Sequence, residues 1–100
     1  MDMYAIRRRS AWANAEELAA AGEVSARVGN EDMPERVRWI RSYVVQEADG
    51  RLGTICIYQA SDLEAVHEHA RRANLTADEV TPIVDTVIVR PDPAKAAAAE

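Results

Sequence analysis

Cysteine is nearly missing from this chain: Cys56 stands alone among 100 residues. A lone thiol cannot close an internal disulfide, and it excludes both a disulfide scaffold and a thiolate metal cage. No apolar run approaches the length of a membrane span, and no signal peptide is visible. The expectation is therefore a cytoplasmic protein without a membrane partner. Excess basic charge is missing too. The net charge of −5 and the pI near 5.0 argue against nucleic acid as a partner, since phosphate backbones select basic surfaces. Phenylalanine is absent, and much of the 48% hydrophobic content is alanine. The core is accordingly thin, so Trp12, Trp39 and the three tyrosines matter individually. Pairing with a second copy is an economical way for so small a domain to bury more surface.

What is present reads as one ferredoxin-like domain over residues 1–92, followed by an alanine-rich, frayed tail over 93–100. Met3 to Arg8 has strand character. Asn14 with Glu17 has the spacing of a helix N-cap, and Leu18, Ala21, Val24, Ser25 and Val28 form a thin stripe behind it. Gly29-Asn30 and Pro34 stop that helix. Val37–Val45 and Leu52–Tyr58 are β-rich runs on either side of Asp49-Gly50, a hairpin signal. Ser61-Asp-Leu-Glu64 is a capping box for a second helix with Leu63, Val66, Ala70 and Ala73 inward. Thr76 to Glu79 repeats the capping pattern for one short turn. Thr81–Val89 is a last strand, ended by Pro91.

With Asp49 and Gly50 as the two central turn residues, Tyr43 faces Cys56, Val44 faces Ile55, Ser42 faces Ile57 and Arg41 faces Tyr58. That register gives a core face of Ile40, Val44, Ile55 and Ile57. The opposite face then carries Trp39, Arg41, Tyr43, Thr54, Cys56 and Tyr58. The order strand, helix, strand, strand, helix, strand defines the split βαββαβ arrangement, a four-stranded antiparallel sheet with both helices on one face. The uncovered face is then aromatic. It serves as a dimer interface, as a ligand site, or as both in a dimeric α+β barrel.

The segments WIRSYV (39–44), ICIYQASDLEAVHEHARRANLTADEV (55–80) and VIVRPDP (87–93) resemble the nickel-binding-protein-like family of small ferredoxin-like domains. MYAIRR and NAEEL resemble it more loosely. The resemblance implies a dimeric ferredoxin-like fold and the binding of nickel, as in a characterised relative. It supports His69 as a ligand position, and Cys56 and Tyr58 match the common strand pattern. It also implies histidine where this chain has Arg41 and glutamate where it has Arg7.

Read residue by residue, the candidates separate. His67 and His69 lie two positions apart, about 200° around a helix, so they cannot share one ion. Either both are packing residues, or His69 anchors a site for nickel or another divalent transition metal, completed by Glu68 and other nearby carboxylates or by a second copy. Trp39, Arg41, Tyr43, Cys56 and Tyr58 are the candidates for a dimer face or for a small-molecule cavity of about 300 Å³ or more. No Ser-His-Asp or Cys-His-Asn set can be assembled, so no catalytic residue is assigned. The triplet Arg7-Arg8-Arg9 reads as a solvated strand end, with a phosphate or carboxylate contact as its alternative. Three function classes follow: a small binding protein for a metal, a dimeric barrel enzyme of cyclase, isomerase or monooxygenase type, and an accessory interaction protein.

Overall fold

The computed structural model describes residues 1–94; the alanine-rich stretch from Lys95 onward lies outside the described residues. In chain order the elements are β1 (Asp2–Trp12), α1 (Ala15–Arg27), β2 (Val37–Gln46), β3 (Leu52–Ala60), α2 (Leu63–Arg72) and β4 (Glu79–Ile83), with a π-helical turn, Val28–Asp32, prolonging α1. The strands form one antiparallel sheet in the order β2-β3-β1-β4. This is the ferredoxin-like α+β fold expected. Both helices cover the same face: Ser25 of α1 touches Tyr58 of the sheet and His69 of α2.

Local chemistry explains the elements. Asn14 caps α1 by accepting from the Glu17 amide at 2.9 Å, and the Glu17 carboxylate accepts from the Ala13 amide at 2.8 Å. The cap of α2 is Asp62 rather than Ser61; its carboxylate accepts from the Ala65 amide at 2.8 Å. Val66, Ala70 and Ala73 are buried as expected, Ala65 and His69 are buried with them, and Leu63 is exposed. Thr76–Asp78 contains no helical turn, and the last strand is only Glu79–Ile83. Pro82 inside it is tolerated because β4 is an edge strand. Residues 84–92 continue without regular structure.

The hairpin register differs from the expected one. Gly50 has φ +86°, the Gly50 amide donates to the Glu47 carbonyl, and the Glu47 amide donates to the Arg51 carbonyl. This is a three-residue loop with glycine in the left-handed position, the other hairpin that Asp-Gly serves. Tyr43 therefore pairs with Ile55 and Ser42 with Cys56. A bulge at Ile40 then brings Trp39 opposite Tyr58.

The faces follow from this register. Tyr4, Ile6, Thr54, Cys56, Tyr58 and Ala60 are buried beneath the helices, and Tyr4, Ile6, Cys56, Tyr58 and Ala60 join Val66, Ala65, Val28, Val37 and Met33 in the core. Ile55 and Ile57, expected inside, line the uncovered face with Met3, Ala5 and Ile83. Ile40 and Val44, also expected inside, are exposed.

Candidate functional site

The set Trp39, Arg41, Tyr43, Cys56 and Tyr58 does not share a face. Trp39, Cys56 and Tyr58 point beneath the helices, whereas Arg41 and Tyr43 point to the open side, opposite Ile57 and Ile55. There the Tyr43 hydroxyl and Arg41 both reach Asp92, at 2.8 and 3.3 Å, so the segment after β4 crosses the open face. Asp85 on that segment is exposed and accepts from the Thr86 amide.

Beneath the helices the three inward residues border a pocket of about 500 Å³. Its origin lies in α1. The face that α1 turns toward the sheet is Leu18, Ala21, Gly22 and Ser25, three small residues in four, and among the residues of α1 only Ser25 is buried. Small side chains cannot fill the gap above β2 and β3, so space remains between Trp12 at one end and Trp39 at the other. A Cβ placed on Gly22 would sit 3.8 Å from the Trp39 ring, so the helix and the indole face each other directly.

The walls are ordered by specific contacts. Trp39 and Tyr58 stack with ring centroids 6.0 Å apart and planes 7° from parallel. The Trp39 Nε1–H donates to Ser42 Oγ at 2.8 Å, Ser42 donates to Cys56 Sγ at 3.0 Å, and Cys56 donates to Thr54 Oγ1 at 3.2 Å. Tyr58 shares a 2.8 Å hydrogen bond with Ser25 Oγ. Burial pushes the Tyr58 phenol up to about 12, against the lowering effects of Ser25 and Arg8, so it is neutral at physiological pH.

The residue that sequence reasoning missed is Arg8. It is 1% exposed, lines the pocket, and its Nε, Nη1 and Nη2 have no hydrogen-bond partner among the described residues. The Tyr58 ring, 6.0 Å from its guanidinium carbon, is its one aromatic contact among the described residues. Its neighbours in the triplet behave ordinarily: Arg7 forks onto Glu47 at 2.8 and 3.0 Å, and Arg9 pairs with Glu79 at 3.0 Å on the surface. Strand alternation carries the missing signal, because Arg8 continues the inward series of Tyr4 and Ile6.

The residues expected at a metal do not come together. His69 is buried, donates from Nε2 to the Ser25 carbonyl at 3.1 Å and tilts against Tyr58 with ring centroids 5.2 Å apart. Burial lowers its imidazole below the usual range, opposed by the Ser25 hydrogen bond and reinforced by Arg8. Both Glu68 oxygens are engaged, by Arg36 at 2.8 Å and Arg72 at 2.7 Å, and the Arg36 hydrogen bond holds that carboxyl below the ordinary carboxylate range. His67 lies half-buried on another side of α2. Among the described residues no three His, Cys, Asp or Glu side chains converge as a metal cage. Within the chain, His67, His69 and Glu68 thus do not converge on a single ion.

The fold and pocket define a ferredoxin-like α+β domain with a cavity between its first helix and its sheet. Residues 4–83 match the sequence profile of the nickel responsive protein SCO4226-like family, and the chain belongs to that family. The crystal structure of SCO4226 from Streptomyces coelicolor A3(2) is similar, with TM-score 0.69 at 20% identity over 85% of this chain and 99% of that chain. No curated protein matches the chain. Among the described residues, no helix is long and apolar enough to cross a membrane.

Proposed function

We propose that this chain is a small-molecule binding protein that acts as a homodimer and holds its ligand between α1 and the sheet. The observation that carries the reading is the pocket itself: about 500 Å³, walled by Trp12, Leu18, Gly22, Trp39 and Tyr58, with a few fixed polar groups. That size and that mixture of apolar wall and sparse polar atoms are the usual attributes of a ligand site. Support for the dimer comes from the other side of the sheet. Met3, Ala5, Ile55, Ile57 and Ile83 are only partly covered there, and the segment after β4 exposes Val84, Val87 and Val89 at 97%, 86% and 83%. An apolar face beside an apolar arm is what a second copy would cover.

The fluorophore N-phenyl-1-naphthylamine tests the pocket. Energy transfer from Trp12 and Trp39 should rise saturably with added probe, and Gly22→Leu, which fills the space from the helix side, should weaken it about tenfold. A wild-type protein that gives no transfer from this probe or from its sulfonated relative 1-anilinonaphthalene-8-sulfonate removes the reading. Sedimentation equilibrium tests the dimer, and a monomer at micromolar concentration refutes it.

Nickel is the second reading, supported by the family's name. With His69 and Glu68 already engaged, an ion would be held by donors from two copies, His67 among them. Calorimetric titration with nickel should then show saturable heat that His67→Ala weakens, and dilution heat alone would remove the reading.

A further inference from the structure

We propose that the ligand of this pocket is an organic anion with an apolar, ring-sized body, its acid group taken by the Arg8 guanidinium. The inference rests on the pocket being a ligand site, and it adds the ligand's chemistry.

A guanidinium presents five donors, and a buried cation without a counter-charge costs several kcal/mol of desolvation. Every charge-bearing nitrogen of Arg8 is buried and unpartnered. Among the described residues its surroundings supply no anion. The Arg41 guanidinium turns away to Asp92 on the open side, and among the described residues neither aspartate nor glutamate lines the pocket. The Tyr58 phenol is neutral and already hydrogen-bonded to Ser25, and burial disfavours charge on His69. The neighbouring acids are taken by other cations, Glu47 by Arg7 and Glu79 by Arg9. A charge kept in that position is explained when the anion arrives with the ligand. A carboxylate or sulfonate matches the planar fork, accepting two hydrogen bonds at once.

The rest of the wall specifies the rest of the molecule. Trp12, Leu18, Trp39, Val44 and Leu75 offer apolar surface, and the parallel Trp39–Tyr58 pair offers a flat one. Inorganic phosphate would reach the cation but leave that surface bare. A neutral hydrocarbon would cover the surface and leave the cation unpaired.

Two fluorophores with the same ring system separate these cases. 1-Anilinonaphthalene-8-sulfonate carries an acid group, whereas N-phenyl-1-naphthylamine lacks it. In the full-length protein the sulfonate should bind about tenfold or more tighter, read by energy transfer from the tryptophans, because a charge-assisted pair is worth at least that factor. Arg8→Met should erase the difference, and Arg8→Lys should restore part of it, since the charge returns without the fork. Gly22→Leu should weaken both probes. Equal affinity for the two probes, or an unchanged ratio in Arg8→Met, overturns the anion assignment while leaving the pocket standing. Displacement of the sulfonate by about 10 mM inorganic phosphate overturns the apolar body. No transfer from either probe overturns the pocket and the anion together.

Discussion

Replacing Arg8 by methionine should make the ligand-free protein more stable while removing its preference for an anionic ligand. The side chain is 1% exposed and three of its nitrogens lack partners. Exchanging even a paired buried charge for apolar side chains of similar volume is often neutral or gains about 1–4 kcal/mol, and the Arg8 charge has no pair to lose. Against that gain stands the loss of the cation–π contact with Tyr58 at 6.0 Å, worth about 0.5–2 kcal/mol. The net expectation is a stabilisation of ~1 kcal/mol. For a domain of 100 residues, each kcal/mol moves the melting temperature by about 4–8 °C, so the midpoint should rise by ~6 °C. Thermal unfolding followed by circular dichroism reads the midpoint, and urea titration reads the free energy independently. A fall of more than about 1 kcal/mol would refute the reasoning, because it would mean that the guanidinium has a partner in the folded protein.

Three further outcomes follow from the geometry. Gly53→Ala should cost about 2–3 kcal/mol in urea titration, because its methyl would run into the Glu47 carboxylate and stand 2.6 Å from the Arg8 carbonyl, which is backbone and cannot swing away; an unchanged midpoint would contradict the close approach of β3 to β1. Burial lowers the His69 imidazole from its ordinary 6.5, so the unfolded chain takes the proton first as pH falls. That contribution to stability is complete above 6.5 and is lost progressively below it, and a urea midpoint that stays level from about pH 7.5 to 5, or is as steep in His69→Gln as in wild type, would speak against it. The Tyr58 phenol, raised from 10 to about 12, should give a late step in an absorbance titration, with stability lost as pH rises from 10 toward 12; Tyr58→Phe should remove that step.

Signals contained within a few residues were legible, and those that depend on the third dimension were not. Asn14 with Glu17, the β-branched runs and Asp49-Gly50 located the elements and hence the ferredoxin-like order. Asp-Gly serves both two-residue and three-residue hairpins, and the difference moved the pairings from Arg41 to Gln46 by one residue, with the bulge at Ile40 moving those of Val37 to Trp39 by two. Both faces of β3 are apolar, Ile55 and Ile57 on one and Cys56 and Tyr58 on the other, so alternation alone did not say which one the helices cover. Adjacent capping residues, Ser61 and Asp62, hid the true start of α2, and with it the burial of His69. Arg8 was concealed by two ordinary arginines on either side. Its depth emerges only when the inward series Tyr4, Ile6, Arg8 is set beneath a helix whose facing residues, Leu18 apart, are alanine, glycine and serine. The pocket exists because those residues are small, and composition does not reveal a space.

The most direct test of the central claim is a crystal structure of the protein with 4-bromobenzoate, in which bromine marks the ligand by anomalous scattering. The account places the bromine between Trp12 and Trp39, with the carboxylate on the Arg8 guanidinium. A pocket closed by a second copy of the chain, or bromine found only on the open face of the sheet, would contradict it.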